Sequence, residues 1–436
     1  MSQQRGGRGV ADVGCSLFAR SRGRTILTAE VSRYAQSGFF NDSVGYGTIR
    51  GVKSASSSRK IRIRRLALVL ASIIGTRAFL GFLATIPVTG NHPYWRTFRA
   101  RPEDFGLQAE NVSFSSQEGI LLKGWYIRPH GASHGTVIVA HGINGNRSDM
   151  LSRAAILVRH NYAALLIDLR DHGESGGHFT GPGYVESRDI LGALKFLRSR
   201  GQVGPFAAMG HSYGAVAALY AAADSPDLAA VVADGAFISF GDMVSRATIL
   251  LSRDPERSFW ERFGLRLAGF RGVEWAVKPI YYVRTGIWLS REETNTLAPI
   301  SQLGTRPILF ISGEKDEICP PQNARIMFDM ARSPQKRLLV VPNADHDATF
   351  QTAPHLYESV VIQFLQEALT ESKKDVETGN LFRSGCDLGP PIRPRTANWQ
   401  PKQAAFGLMG VALCMSHVSQ KPLRKIHETD PRAAVC

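Results

Sequence analysis

The middle of the chain alternates short, uninterrupted apolar runs with longer stretches in which apolar residues recur at helical spacing. Apolar runs of this length predict strands that are buried on both faces. They cover residues 136–140, 163–168, 205–209, 229–233, 307–311 and 337–341. Between them, Ile190, Leu191 and Leu194 lie on one face of a helix predicted over 184–198. Strands separated by single helices predict a parallel sheet that helices cover on both faces.

A hairpin precedes this repeat and an insertion interrupts it. Residues 112–115 and 121–127 alternate around a turn at 117–119, which predicts two antiparallel strands at one edge of the sheet. We therefore expect an α/β fold with a mostly parallel central sheet flanked by helices, over residues 109–370. The helical, aromatic-rich stretch 237–299 predicts a helical cap insertion. A peripheral helical excursion is the alternative interpretation of that stretch.

Both ends of the chain differ from the middle. Residues 1–65 are rich in Gly, Ser and Arg, which predicts a basic, disordered leader. Residues 66–88 are apolar except for Thr, Ser, Gly and Arg77, and a helix of that length spans the ~30 Å core of a bilayer. They predict a transmembrane or signal-anchor helix; a cleaved or targeting segment and a soluble helix are the alternatives. Residues 371–436 lack sustained periodicity and predict a disordered or weakly structured tail.

The distribution of charged residues along the chain determines how the net charge is interpreted. The net charge is +15, but residues 1–65 hold 13 Lys or Arg against 3 Asp or Glu. Because the excess sits in the leader and not in a folded stripe, we expect no nucleic-acid partner. Cations ahead of the apolar segment 66–88 predict a membrane-anchored protein with its folded domain on the non-cytoplasmic side. The five cysteines form no C-x-x-C pair, which indicates neither a zinc site nor a disulfide framework.

The strongest chemical motif is Gly210-His-Ser212-Tyr-Gly214, between a predicted strand and a predicted helix. In that context a G-x-S-x-G sequence predicts a sharp turn that exposes a nucleophilic serine at the edge of the sheet. The neighbouring backbone comes close to such a turn, which explains the glycines on both sides. We predict Ser212 as the nucleophile and the backbone N–H of Tyr213 as one donor to an oxyanion.

A serine hydroxyl needs a base that takes its proton and an acid that orients the base. His346 follows the last predicted strand and is the predicted base. Asp316 follows the penultimate predicted strand and is the predicted acid, with Asp234 as its competitor. The loop after residues 136–140 is rich in glycine, and we predict the N–H of Ile143 as the second oxyanion donor.

These motifs, together with His141-Gly142 and the segment 168–175, resemble the α/β-hydrolase superfamily. The nearest likeness is to its serine-aminopeptidase-like branch, which includes membrane-anchored abhydrolase-domain proteins, monoglyceride lipases and acyl-protein thioesterases. The resemblance implies a serine hydrolase that cleaves carboxylic ester, thioester or amide bonds through an acyl-serine intermediate, without a cofactor or metal.

The expected partner is a small-molecule or lipid-like acyl compound with an apolar acyl group. Membrane association is expected through residues 66–88. A non-catalytic binding protein that kept the hydrolase fold and a serine peptidase of the aminopeptidase-like type are the alternatives. A further alternative is a protein that binds nucleic acid or a lipid surface through the leader.

Overall fold

The computed structural model describes residues 54–85, 96–268, 274–290 and 294–377. Its centre is an eight-stranded sheet in the order β1-β2-β4-β3-β5-β6-β7-β8. The strands are β1 Ala109–Ser115, β2 Leu121–Ile127, β3 Thr136–Ala140, β4 Ala163–Ile167, β5 Phe206–His211, β6 Leu228–Asp234, β7 Ile308–Gly313 and β8 Lys336–Val341. Strand β2 runs antiparallel to both of its neighbours, and all the other pairs are parallel. The predicted fold class, with its antiparallel hairpin at one edge, is confirmed.

Helices occupy most of the connections between parallel strands, and other helices precede the first strand and follow the last. They are α1 Ser54–Thr85, α2 Leu151–Arg159, α3 Ser187–Ser199, α4 Tyr213–Asp224, α5 Phe240–Leu251, α6 Phe259–Ala268, α7 Glu274–Thr285, α8 Leu297–Gln302, α9 Pro321–Met330, α10 Thr349–Thr352 and α11 Pro354–Glu377. Helices α5 to α8 fill the connection between β6 and β7, where the sequence predicts the cap insertion.

The central strands are buried because both of their faces meet helices. In β3, Ile138 joins the hydrophobic cluster on one side of the sheet, while Val137 and Val139 join the cluster on the other. Successive residues of a strand point to opposite faces, so a strand between two helical layers needs apolar residues at every position. This requirement explains why uninterrupted apolar runs mark these strands in the sequence.

The two ends of the described chain differ from the predictions. Helix α1 already begins at Ser54, inside the predicted disordered leader, because Arg, Lys and Leu are good helix formers and a change from cationic to apolar residues does not stop a helix. No helix within the described ranges combines the length and the apolar character needed to cross a membrane. The structure therefore has helix α1, Ser54–Thr85, in place of the transmembrane helix that the sequence predicts over residues 66–88. Residues 86–88 lie outside the described residues.

At the other end, α11 continues to Glu377, past the predicted start of the tail at residue 371. The remainder of the predicted tail, and residues 1–53 of the predicted leader, lie outside the described residues.

Candidate active site

Ser212 occupies the turn between β5 and α4 in a backbone conformation that non-glycine residues rarely adopt, with φ 52° and ψ −112°. The backbone crosses itself closely at this turn. A Cβ atom at Gly210 would overlap the backbone of Gly214, and one at Gly214 would lie 2.5 Å from the carbonyl oxygens of Ala140 and His141. The two glycines are therefore a steric requirement of the turn that presents Ser212.

The three side chains predicted as nucleophile, base and acid lie within hydrogen-bonding distance of one another. His346 Nε2 lies 2.8 Å from Ser212 Oγ, and His346 Nδ1 lies 2.7 Å from Asp316 Oδ2. Because the carboxylate only accepts hydrogen bonds, Nδ1 carries the proton and Nε2 is free to accept one from the serine hydroxyl. The arrangement can transfer the Ser212 proton to an imidazole that a carboxylate stabilises.

The Asp316 carboxylate is held from both sides. Its Oδ1 atom accepts hydrogen bonds from the backbone N–H groups of Ile318, at 2.9 Å, and Cys319, at 2.7 Å, which leaves Oδ2 for His346. At the end of β7, a Cβ atom at Gly313 would collide with the carbonyl oxygen of Ala344. The glycine thus lets the loop that carries Asp316 approach the loop that carries His346.

Opposing influences act on the pKa of His346. Burial disfavours the charged imidazolium, whereas the neighbouring Cys319 thiol and Asp316 carboxylate favour it, and the pKa rises above its usual value of 6.5. Cys319 itself is buried, and burial raises the pKa of its thiol. From the sequence, the cysteines are considered only as zinc ligands or disulfide partners, and neither role is indicated. The position of Cys319 three residues after Asp316 was the signal that could have placed it beside the imidazole.

Asp234, the competitor for the role of acid, belongs to a different network. Its Oδ2 atom accepts hydrogen bonds from Arg153 at 2.9 Å, Thr349 at 2.9 Å and Tyr357 at 3.0 Å. Burial opposes the carboxylate charge, but His211 and Arg153 together hold the pKa of Asp234 well below its usual range. All of its partners lie far away in the sequence, and sequence reasoning did not find this network.

His211 points away from the serine hydroxyl, as expected for the residue before the nucleophile. Its Nε2 atom lies 3.1 Å from Asp347 Oδ1, and its ring lies 5.2 Å from the ring of His346. Burial opposes its charge, yet the carboxylates of Asp234 and Asp347 raise the pKa of His211 to about 9.

The loop predicted to supply an oxyanion donor lies next to the nucleophile. A Cβ atom at Gly142 would be 3.5 Å from the Cβ atom of Ser212, so Ile143 follows the point of closest approach. His141 stabilises this loop, because its Nδ1 contacts the Gly142 carbonyl oxygen at 2.7 Å and its Nε2 accepts from Leu169 N–H at 3.1 Å. Tyr213 is the first residue of α4, and helix geometry leaves its N–H without an intrahelical acceptor.

Asp168, in the segment that contributes to the family resemblance, holds a neighbouring loop. It accepts hydrogen bonds from the backbone N–H of Arg147 at 2.8 Å and from the Arg147 guanidinium at 2.5 Å. That guanidinium lies 4.5 Å from the ring centroids of both Phe98 and Trp125, which are in contact with each other at 5.2 Å. A buried, fully engaged carboxylate of this kind supports the fold of the loop.

Within the described ranges, two groups of side chains have the composition of a metal site, and both include His346. They are His211, His346 and Asp347, and Asp316, Cys319 and His346. Both ring nitrogens of His346 already have partners in Ser212 and Asp316. A metal ion in either group would compete with that hydrogen-bond relay, so we assign no metal ion to these residues.

A cavity of about 620 Å³ lies between α5 and the loop that carries Asp316. Charged side chains dominate its lining, which includes Arg246, Arg253, Glu314, Lys315, Glu317 and Asp345. Neither Ser212 nor His346 lines it. Asp316 lines this cavity but Ser212 does not, and a lining dominated by charged side chains does not fit an apolar acyl chain, so we do not assign the acyl group to it.

Comparison with known proteins adds the family to this geometry. The profile of the alpha/beta hydrolase family matches residues 137–360, which is more than half of the chain. The chain belongs to the α/β-hydrolase family. The resemblance deduced from the sequence motifs is thereby confirmed.

Several relatives of this hydrolase align over most of their length. The uncharacterized protein YqkD of Bacillus subtilis is 28% identical over 267 residues, which are 59% of this chain and 80% of YqkD. The alpha/beta hydrolase domain-containing protein WAV2 of Arabidopsis thaliana is 25% identical over 72% of this chain and 95% of its own. An esterase of Pyrococcus furiosus superposes with a TM-score of 0.52 at 22% identity, over 64% of this chain and 98% of that esterase, which shows a shared fold.

Proposed function

We propose that this α/β hydrolase is a serine hydrolase that cleaves carboxylic ester, thioester or amide bonds of apolar acyl substrates through an acyl-serine intermediate. The observation that carries the proposal is the hydrogen-bonded series from Ser212 Oγ through His346 to Asp316, with distances of 2.8 and 2.7 Å. Side chains 134 and 30 residues apart in the sequence are aligned as nucleophile, base and acid.

The proposed reaction begins when Ser212 Oγ attacks the carbonyl carbon of the substrate and His346 Nε2 takes the hydroxyl proton. The N–H groups of Tyr213 and Ile143 stabilise the oxyanion of the tetrahedral intermediate. That intermediate collapses as His346 returns the proton to the leaving group, and the acyl group stays on Ser212. Water then attacks the acyl-serine, His346 takes its proton, and a second collapse releases the carboxylic acid and restores the hydroxyl of Ser212.

The apolar character of the acyl group rests on the insertion between β6 and β7. This insertion begins directly after β6, at the carboxyl edge of the sheet, which is also the edge where β5 ends, just before Ser212. Phe237 and Phe240 begin it with their rings 6.0 Å apart, and both side chains are buried. Apolar side chains on the segment that leaves this edge of the sheet support an apolar substrate group.

Turnover of p-nitrophenyl esters of increasing chain length by the full-length protein tests the proposal. Ser212→Ala is expected to lower kcat/KM by about 10⁴-fold or more, since the attacking group is lost. Ser225→Ala, at the other end of α4, is the matched control and should retain activity. A fluorophosphonate probe should label the wild type and the control but not Ser212→Ala. Equal turnover by all three proteins would exclude Ser212 as the nucleophile, and absence of both turnover and labelling in the wild type would favour a binding protein.

A further inference from the structure

Three aromatic side chains of α6 pack on one another and not into the core. Phe259, Trp260 and Phe263 are 63%, 76% and 48% exposed. The Phe259 ring centroid lies 5.2 Å from that of Trp260 and 6.3 Å from that of Phe263. We call these three residues the cap cluster. Soluble proteins seldom leave several large rings together in water, so the cap cluster requires a partner.

The same insertion exposes a second set of apolar side chains after the cap cluster. Tyr282 and Val283 near the end of α7 are 50% and 83% exposed, and Trp288 is 55% exposed. The rings of Tyr282 and Trp288 lie 6.0 Å apart. Exposed Trp and Tyr rings suit the interface of a bilayer, where an apolar ring and a polar N–H or O–H are both satisfied.

Helix α1 indicates which kind of partner covers such side chains. The Phe82 ring of α1 lies 5.1 Å from the guanidinium carbon of Arg284 on α7, so the two helices meet. Leu68, Val69 and Leu70 of α1 are 70%, 55% and 50% exposed. Consecutive helical residues point in different directions, and a protein groove covers one stripe of a helix. Apolar side chains in every direction favour lipid over a protein groove.

Charge in the insertion favours anionic lipid. Residues 253–288 contain seven Lys or Arg and four Asp or Glu. Arg262 and Arg266 lie on α6 itself, close in sequence to the cap cluster. Aromatic residues and arginines on one amphipathic helix are typical of segments that lie in the headgroup region of an anionic bilayer.

The insertion is joined to the active-site edge of the sheet. Arg253, between α5 and α6, forms an ion pair of 2.7 Å with Glu317, the residue after Asp316. A bilayer that covers the cap cluster would therefore lie beside the loop that carries the proposed acid. Lipid-like acyl substrates would then be delivered where the proposed nucleophile operates.

We propose that the cap cluster docks the protein onto an anionic bilayer surface, so that acyl substrates reach Ser212 from the membrane. The substrate part of this proposal rests on the proposed serine hydrolase function, whereas the docking itself does not.

The first test measures docking without reference to catalysis. The full-length protein is mixed with phosphatidylcholine vesicles that contain phosphatidylserine and brominated lipid, and tryptophan fluorescence is recorded. We expect quenching in the wild type and a clear loss of that quenching in Trp260→Phe, which keeps an aromatic ring but removes the reporter. Equal quenching in both proteins would place Trp260 outside the bilayer and overturn the proposal, even if the protein had no hydrolase activity.

The second test compares a vesicle-borne acyl ester with a soluble p-nitrophenyl ester. We expect a variant with Phe259→Ser, Trp260→Ser and Phe263→Ser to turn over the vesicle-borne ester at about one tenth of the wild-type rate or below. Its turnover of the soluble ester should be unchanged. Val203→Ser is the matched control, because Val203 is an exposed apolar residue with 86% of its surface accessible. It precedes the amino end of β5, whereas Ser212 follows the carboxyl end of the same strand.

Unchanged vesicle turnover in the triple variant would overturn the proposal. An equal decrease in the turnover of both esters, together with an altered circular dichroism spectrum, would indicate that the triple variant is misfolded. The quenching result for Trp260→Phe would then decide whether the cap cluster docks onto the bilayer. A dimer that forms without lipid and is lost in the triple variant would identify a second copy of the chain as the occupant, and would also overturn the proposal. Absence of turnover with either ester would count against the proposed function and leave the quenching test intact.

Discussion

The Nδ1 atom of His346 lies 2.7 Å from Oδ2 of Asp316, and that contact distinguishes Asp316 from every other carboxylate near the imidazole. Asp316→Asn keeps the size of the side chain but replaces the anion that stabilises the imidazolium. We expect kcat to fall by about 10³–10⁴-fold with little change in thermal stability. Steady-state kinetics and a thermal melt measure both quantities. A variant with near wild-type kcat would contradict the assignment of Asp316 as the acid.

Asp234→Asn is expected to have the opposite profile. Its carboxylate neutralises Arg153 inside the protein, where neither side chain is more than 3% exposed. Removal of the negative charge leaves a buried guanidinium unpaired, which costs about 3–5 kcal/mol of unfolding free energy. Chemical denaturation should detect this loss, while the folded fraction of the variant retains far more activity than Asp316→Asn. Reversal of the two profiles would make Asp234 the acid.

The pH dependence of catalysis should report the state of His346. The base must be neutral to take a proton, and its pKa is raised by the Cys319 thiol and the Asp316 carboxylate despite the opposing effect of burial. Activity is therefore expected to increase with pH through the pKa of His346, by about tenfold per pH unit on the acidic side. The midpoint of the kcat/KM profile should lie above 6.5. A midpoint at or below 6.5 in the wild type would contradict the account.

Asp171 is predicted to destabilise the fold. Its backbone is in the left-handed region, with φ 62°, and both carboxylate oxygens are buried without a hydrogen-bond partner among the described residues. Burial raises the pKa of Asp171 to about 7. Burial favours the neutral acid in the folded protein, whereas the carboxyl group of the unfolded chain ionises at its ordinary pKa near 3.8. The destabilisation therefore grows as the pH rises from about 3.8 to about 7, and it reaches its full size above pH 7.

Two substitutions separate the causes at Asp171. Asp171→Gly removes both the charge and the backbone strain, and should raise the unfolding free energy by about 1–3 kcal/mol at pH 8. Asp171→Asn removes only the charge, so its benefit should be smaller and should decline toward pH 5. Denaturation curves at the two pH values measure the difference. A loss of stability in Asp171→Gly would show that the carboxylate has a favourable partner.

The turn around Ser212 should tolerate no side chain at Gly210. Gly210→Ala forces a methyl group into the backbone of Gly214, and we expect a loss of at least about 2 kcal/mol of stability together with reduced activity. Gly264→Ala in α6 is the matched control, because a Cβ atom there has nothing within 4 Å. In a helix this control should be neutral or stabilising by up to about 1 kcal/mol. Equal effects of the two substitutions would contradict the steric account.

The sequence by itself determined the strand order along the chain and the position of the turn that presents Ser212, the proposed nucleophile. Strands such as β3 are visible because burial on both faces demands apolar residues at every position, and this demand acts on neighbouring residues. The Gly210–Gly214 turn is visible for the same reason, because its steric constraint spans five consecutive residues. The helix α1 was placed less well, since helix propensity does not change sharply where charged residues give way to apolar ones.

Only the tertiary structure decided between Asp316 and Asp234. Both follow the carboxyl end of a strand, and no local pattern distinguishes them. Asp234 is bound to Arg153 and Tyr357, which are 81 and 123 residues away, and Cys319 meets His346 through the folding of two separate loops. Contacts of this kind depend on how distant segments pack, because a hydrogen bond or an ion pair is determined by positions in space. The periodicity that reveals strands and helices does not carry that information.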